Sequence, residues 1–161
     1  VYSHYFLGRR ATALARIDLL NKLSQNFDVT VYTHADCKDI LPTAIYGGKI
    51  DYYDTMPTVF QHSKINLNIT LKTIQTGIPL RAWDILGCSG FLLTNFQQEL
   101  CDFFIPGEDF VYYESPADAI EKAAYFLSHD RERQEIAHNA FEKIAASHTF
   151  HHRVQSMFDI I

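Results

Sequence analysis

The hydrophobic positions along the chain alternate between helical and strand-like spacing. Residues 11–25 predict an amphipathic helix, because their apolar positions recur on one side: Ala15, Leu19, Leu20 and Leu23. The sequence DVTVYTH at 28–34 has valine and threonine at successive positions, which predicts a short buried strand. In 35–54, Pro42 and the pair Gly47–Gly48 indicate a loop, with one short strand near 44–46.

The second half of the chain repeats this alternation more clearly. Short apolar runs predict strands at 64–69, 91–95 and 110–113. We predict helices around them: a short one capped by Asp54 or Thr55, then 80–88, 97–104, 117–127, 130–147 and a last candidate from Thr149. Short apolar strands between helices are typical of a three-layer α/β domain with a mostly parallel sheet.

Composition limits the functions that this domain can have. The 161 residues are 47% hydrophobic and 20% charged, as in an ordinary globular domain. A net charge of -5 argues against a general nucleic-acid binder, and no apolar run reaches the roughly 18 residues of a transmembrane segment. The chain lacks a signal-peptide pattern, and its three cysteines, Cys37, Cys88 and Cys101, are an odd number with no CxxC pair. We therefore expect a cytoplasmic protein without a disulfide framework or a structural zinc site.

The candidate chemistry lies in the turn and helix after the strand at 64–69. In open α/β sheets, ligands bind at the carboxyl ends of strands, where helix N-termini present N–H groups. Here a small-residue turn precedes the helix: Thr76, Gly77, Ile78 and Pro79. Gly77 lets a ligand approach the backbone, and Arg81 offers positive charge to a phosphate. Asp84, one turn deeper, is suited to accept two hydrogen bonds from a ribose diol.

The same residues have a purely structural alternative. Pro79 at a helix start is ordinary capping. Arg81 and Asp84 are also spaced as a surface ion pair, which contributes only a few tenths of a kcal/mol. The turn and helix alone therefore leave both interpretations open.

Longer blocks of sequence favour the nucleotide interpretation. The chain resembles the C-terminal domain of bacterial CgeB-type (spore maturation protein) glycosyltransferases of group 1. The matching blocks are YFLGRRATALARIDLLNKLS, YYDTMPTVF, SKINLNITLKTIQTGIPLRAWDILGCSGFLLTNFQQELCDFF, PGEDFVYYES and SHDRERQEIAHNAFEKIAASHTFHHRV. The resemblance implies that residues 1–161 form a Rossmann-like domain, the C-terminal half of a GT-B fold, which binds a nucleotide-sugar donor.

The resemblance also implies roles for individual residues. Asp84 takes the position of the acidic residue that holds the ribose. The diphosphate is held in the family by the backbone at positions that correspond here to Gly77, Ile78, Pro79 and Leu80, although proline has no N–H to donate. Residues 48–53 resemble the segment that frames the nucleobase. Gly48, Tyr52 and Tyr53 are therefore candidates for contacts with the base, with ordinary packing as the alternative for the two tyrosines.

Two departures from the family pattern concern the sugar and the diphosphate. Group-1 enzymes usually carry two glutamates eight positions apart across this turn, whereas this chain has Thr76 and Asp84. The basic pair that steadies the diphosphate in relatives lies near the first strand of this domain. It has no counterpart here, because we expect the domain to be truncated at its N-terminal edge, after that strand. Arg9 and Arg10 are candidates to replace it, although solvent-exposed charges at a helix start are the favoured interpretation.

The implied reaction needs a second domain. It moves a sugar from a nucleoside diphosphate to an acceptor hydroxyl, with helix N–H groups and Arg81 stabilising the leaving diphosphate. We expect no metal and no cofactor, because the chain has no Asp-x-Asp motif and no carboxylate accompanies His148, His151 and His152. We expect the acceptor site in an N-terminal domain, since the segment Val1–Gly8 is typical of the middle of a longer chain. A non-catalytic nucleotide-binding or interaction module of the same fold is the alternative.

Overall fold

The computed structural model describes residues 2–71, 74 and 76–159. Its elements confirm the predicted α/β class. In chain order they are α1 (Tyr2–Ser24), β1 (Thr30–Tyr32), β2 (Ile45–Gly48), α2 (Met56–His62), β3 (Asn66–Asn68), α3 (Leu80–Gly87), β4 (Leu92–Asn95), a 3-10 turn (Gln98–Asp102), β5 (Val111–Tyr113), α4 (Pro116–Ser128), α5 (Asp130–Ser147) and α6 (Phe150–Phe158).

The strands of the described ranges pair in parallel, as predicted, but they form two small sheets. β1 pairs with β2, with Thr30 opposite Ile45. β3, β4 and β5 form the second sheet in that order, with Leu67 opposite Leu93 and Leu93 opposite Val111. The sequence pattern predicts each strand but not this division into two sheets. The predicted burial of the first strand is wrong, since Thr30 and Tyr32 of β1 are exposed.

Helices cover both faces of the three-stranded sheet. Successive side chains of β4 point to opposite faces, so each of them packs against a different helical layer. Leu93 lies in a buried cluster with apolar residues of α1, α4 and α5, among them Leu19, Leu23, Ala119, Ala123, Phe126 and Ile136. Leu92 lies in a second cluster with residues of α2, α3 and α5, among them Phe60, Ile85, Leu86 and Ala140. This is the predicted three-layer arrangement.

Two helical segments differ from the prediction. α1 begins at Tyr2 instead of residue 11, because Gly8 does not break the helix and its carbonyl accepts a hydrogen bond from the Thr12 hydroxyl. The segment at 97–104 forms only a 3-10 turn followed by the buried side chain of Phe104. No helix in the described ranges is long and apolar enough to cross a membrane.

Candidate functional site

A buried polar network fixes the carboxyl ends of β3 and β4. The Asn68 amide donates hydrogen bonds of 3.0 Å to the hydroxyls of Thr70 and Thr94. The Thr70 N–H donates to the side-chain oxygen of Asn95 over 2.7 Å. Because Asn68, Thr70 and Thr94 are all buried, these bonds fix the path of the backbone as it leaves β3 towards α3.

The predicted turn before α3 is present, and its helix start has no side-chain cap. Pro79 is the N-cap residue and makes no side-chain hydrogen bond, so the N–H groups of Leu80 and Arg81 at the start of α3 can bind a ligand or water. Gly77 has a φ of 94°, in the left-handed region. A Cβ at this position meets no atom within 4 Å, so the backbone conformation is what favours glycine here.

Arg81 carries a positive charge that the described residues leave unpaired. Its side chain is exposed, and its guanidinium carbon lies 5.7 Å from the centroid of the Phe60 ring. No described carboxylate lies within 4.0 Å of it, so Arg81 and Asp84 do not form the surface ion pair of the structural alternative. The charge is thus available to an anionic ligand at the first turn of α3.

Asp84 is half-buried, and Tyr52 holds its carboxylate. The Tyr52 hydroxyl donates a 2.7 Å hydrogen bond to Asp84. This bond is the main cause that raises the pKa of Tyr52, and burial and the charge of Asp84 add to it. Burial, followed by the charge of the same carboxylate, raises the pKa of Cys88. Tyr53 is 83% exposed, and its ring packs edge-on against the Tyr52 ring, with 5.2 Å between the ring centroids. Of this pair, Tyr52 is therefore the tyrosine that contacts α3.

Asp51 organises the turn that presents Tyr52. Its carboxylate accepts 2.8 Å hydrogen bonds from the N–H groups of Tyr53 and Asp54. These bonds lower the pKa of Asp51. The prediction that the side chain of Asp54 or Thr55 caps α2 is wrong. Thr55 is the N-cap residue, but its side chain makes no capping hydrogen bond. The Met56 N–H donates to the Asp51 carbonyl instead.

The remaining predicted residues lie in three different environments. Thr76 and Leu80 are exposed at the turn, where a ligand can reach them. Ile78 is half-buried and packs against the apolar cluster beneath α3. Gly48 ends β2 with a φ of 73°, and its carbonyl accepts a hydrogen bond from the Thr33 N–H. Its predicted role near the base rests on the resemblance alone.

Glu99 is a residue at this site that the sequence reasoning missed. It lies in the 3-10 turn after β4, and its carboxylate accepts a hydrogen bond from the Gly77 N–H. An acidic group therefore reaches the turn at which Thr76 has no charge. A sequence signal for it exists: the segments that follow neighbouring parallel strands emerge at the same edge of a sheet.

Arg16 is a second residue that the sequence reasoning missed. Its guanidinium donates a 2.8 Å hydrogen bond to the carbonyl of Ile69, just beyond the carboxyl end of β3. Arg9 and Arg10, the candidates considered from the sequence, are exposed side chains nearer the start of α1. Arg16 therefore adds positive charge at the edge of the sheet that also carries Arg81.

The C-terminal histidines pack where α5 ends and α6 begins. The His148 ring lies 5.3 Å from Trp83 and 5.4 Å from Phe103, and burial, followed by the charge of Arg153, lowers its pKa. His152 forms a capping box with Thr149 at the start of α6. In the described part of the chain, no three histidine, cysteine, aspartate or glutamate side chains come together to hold a metal ion.

The sequence pattern of the glycosyl transferase-like family matches residues 10–159. The match spans nearly the whole chain, so the protein belongs to this family, which confirms its assignment to the group-1 glycosyltransferases and its Rossmann-like α/β class. At the general level, this membership indicates glycosyl transfer. No curated protein matches the chain.

Proposed function

We propose that the chain is the donor-binding domain of a metal-independent glycosyltransferase of the CgeB type. The observation that carries this proposal is the arrangement on α3. Within two helical turns, α3 has an uncapped start, the unpaired cation of Arg81 and the carboxylate of Asp84. They stand beside the carboxyl ends of β3 and β4, the edge at which α/β sheets bind ligands.

The first turn of α3 suits the diphosphate of the donor. The helix dipole and the N–H groups of Leu80 and Arg81 favour an anion there. The Arg81 guanidinium adds a fixed charge, and Gly77 leaves room for a phosphate oxygen close to the backbone. As the sugar leaves, these groups stabilise the charge that develops on the diphosphate.

Asp84 suits the ribose of the donor. Its carboxylate already accepts one hydrogen bond, from the Tyr52 hydroxyl, so its oxygens are oriented to accept another. A ribose diol can add to this contact or replace it. Tyr52 then lies beside the ribose, where its ring can contact the base, and the more exposed Tyr53 extends the same surface.

Catalysis in this proposal needs groups from outside the chain. The acceptor, whether glycan, protein or small molecule, and any general base come from an N-terminal domain of the same longer protein. We expect the 161-residue chain to bind the donor without transferring the sugar. The cysteines Cys37, Cys88 and Cys101 are free thiols, which supports a reducing, cytoplasmic setting for the reaction.

Replacing Asp84 with alanine should weaken nucleotide binding by about 10- to 100-fold, because a hydrogen bond to a charged group contributes about 1.5–3 kcal/mol. The measurement is a two-dimensional NMR titration of the chain and of Asp84→Ala with UDP, GDP, ADP and CMP. We expect saturable shifts over 77–84 with one nucleotide. The control is Asp18→Ala, an exposed aspartate of α1 paired with Lys22. Equal affinity for all three proteins, or shifts only on other elements, would reject this site.

Replacing Glu99 with glutamine should strengthen the binding of UDP or the preferred nucleotide by roughly fivefold, because it removes about 1 kcal/mol of repulsion between two anions. The Glu99 carboxylate accepts a hydrogen bond from the Gly77 N–H, at the position where we place the diphosphate. The same titration measures this effect, with Asp102→Asn as a control on the same 3-10 turn. Weaker binding by Glu99→Gln alone would contradict the competition.

A non-catalytic nucleotide-binding module is the second candidate, and Thr76 favours it. Its position carries an acid in most group-1 enzymes, whereas here, among the described residues, a carboxylate reaches this turn from Glu99. The two candidates differ in one measurable property. Transfer of a radiolabelled sugar by the protein that includes its N-terminal domain supports the enzyme, whereas donor binding without transfer or donor hydrolysis supports the module.

A further inference from the structure

Glu99 brings a negative charge to the turn before α3. Its carboxylate accepts a hydrogen bond from the N–H of Gly77, the residue directly after Thr76. The side chain is half-buried, and among the described residues no lysine, arginine or histidine nitrogen lies within 4.0 Å of its carboxylate. A carboxylate has about four lone-pair positions, and the bond from Gly77 uses one of them. The other positions can accept hydrogen bonds from a ligand.

Buried neighbours fix the position of Glu99. It lies in the 3-10 turn Gln98–Asp102, and the side chain of the next residue, Leu100, is buried. The Leu100 carbonyl accepts a 2.9 Å hydrogen bond from the N–H of Phe104, which is also buried. Both side chains belong to the apolar cluster beneath α3. An anchored element therefore presents the Glu99 carboxylate to the turn.

The order of the candidate groups along α3 places the sugar of the donor near Glu99, and this step rests on the proposed function. A nucleotide sugar connects its parts in the order base, ribose, diphosphate and sugar. With the ribose at Asp84 and the diphosphate at the N–H groups of Leu80 and Arg81, the molecule follows the helix towards its start over about 6 Å. The sugar then lies beyond that start, where Gly77 and Glu99 are in contact.

We propose that Glu99 recognises the sugar of the donor and that this sugar is a hexose with two neighbouring free hydroxyls. Sugar hydroxyls donate hydrogen bonds, and the two oxygens of one carboxylate can accept from two neighbouring hydroxyls. Such charge-assisted bonds are roughly twice as strong as bonds between neutral groups. Thr76, at the same turn, offers one neutral hydroxyl. Because the carboxylate repels the diphosphate, the sugar is the part of the donor that Glu99 attracts.

Donor binding changes the partner of the Glu99 carboxylate. A phosphate oxygen takes over the Gly77 N–H, and the carboxylate turns to the sugar hydroxyls. A nucleoside diphosphate without a sugar displaces the carboxylate in the same way but supplies no new hydrogen-bond donor. Glu99 thus favours the complete donor over the nucleoside diphosphate that remains after transfer.

The test compares nucleoside diphosphates with their hexose-bearing forms on the whole chain. The pairs are UDP with UDP-glucose, ADP with ADP-glucose and GDP with GDP-mannose, each titrated by two-dimensional NMR. The measured quantity is the ratio of the two dissociation constants within a pair. In the unmodified chain, we expect the hexose to strengthen binding about tenfold in the preferred pair.

Two variants of Glu99 and one control measure its share of this ratio. Glu99→Gln should lower the ratio to about threefold, because the amide oxygen still accepts hydrogen bonds, the one from Gly77 included, but has no charge. Glu99→Ala should lower the ratio to about one. Asp102→Asn, on the same 3-10 turn, should leave the ratio unchanged. The repulsion between Glu99 and the diphosphate acts on both members of a pair, so it cancels in the ratio.

The outcomes separate this inference from the donor site itself. Shifts over 77–84 with a ratio that is equal in the unmodified chain and both Glu99 variants would overturn the inference and leave the donor site standing. A purely structural role of Glu99 gives this result, because it weakens both members of a pair equally. A ratio of about one in the unmodified chain would overturn the inference as well. Absence of saturable binding by all three diphosphates would reject the donor site and the inference with it.

Discussion

Replacing Phe110 with alanine should lower the free energy of unfolding by about 3–5 kcal/mol. Phe110 is 0% exposed and belongs to the cluster beneath α3 that includes Leu86, Leu92 and Phe104, each of them almost completely buried. Its removal leaves a cavity between the sheet and the helical layer. These neighbours are held by β4, α3 and the 3-10 turn, so they can close that cavity only in part.

The matched control is the same substitution at Phe150, which is 86% exposed at the start of α6. We expect Phe150→Ala to change the free energy of unfolding by less than about 0.5 kcal/mol. Both variants are measured by urea unfolding, followed by the fluorescence of Trp83, the single tryptophan, which contacts Phe104. A loss below about 1 kcal/mol for Phe110→Ala would contradict its place in an enclosed core.

The sequence predicts α3 and β4 well because local signals agree there. Pro79 marks the helix start, and the apolar run after Gly90 marks the strand. The predicted and observed bounds of both elements differ by about one residue. The residue with left-handed φ after α3 is Ser89, at 56°. Gly90 is needed for space, since a Cβ there lies 2.8 Å from the Phe60 carbonyl oxygen.

The contacts that build the candidate site could not be predicted from spacing. Tyr52 is hydrogen-bonded to Asp84, which lies 32 residues away along the chain. Arg16 is hydrogen-bonded to Ile69, which lies 53 residues away. Such pairs depend on which layers and strand ends the fold brings together, and hydrophobic periodicity carries no information about that. The predicted residues on α3 were local to one helix. The residues that the sequence reasoning missed, Glu99 and Arg16, come from other elements.

In the donor site that we propose, Asp84 and Gly77 already have hydrogen-bond partners that resemble parts of a donor. The Tyr52 hydroxyl occupies the Asp84 carboxylate as a ribose hydroxyl would, and the Glu99 carboxylate occupies the Gly77 N–H as a phosphate oxygen would. These contacts satisfy polar groups and keep them oriented without ligand. On this proposal, donor binding exchanges one set of hydrogen bonds for another. This exchange is why Asp84→Ala and Glu99→Gln should change affinity in opposite directions.

Replacing Lys143 with methionine should lower the free energy of unfolding by about 3 kcal/mol, because it leaves the carboxylate of Asp109 buried without its cation. Asp109 is 1% exposed, and its carboxylate accepts hydrogen bonds from the Ile105 N–H and from the Lys143 ammonium. Its other oxygen has no partner among the described residues. The ion pair ties α5 to the turn before β5, so its loss should also loosen that turn.

Urea unfolding of Lys143→Met is compared with Lys22→Met, the same substitution in the exposed pair that Lys22 forms with Asp18. We expect the control to cost less than about 1 kcal/mol, as exposed ion pairs do. Adding Asp109→Asn to Lys143→Met should recover stability, since a neutral amide oxygen still accepts from the Ile105 N–H without a buried charge. If the double variant is less stable than Lys143→Met, the lost packing of the lysine stem, and not the unpaired carboxylate, explains the destabilisation.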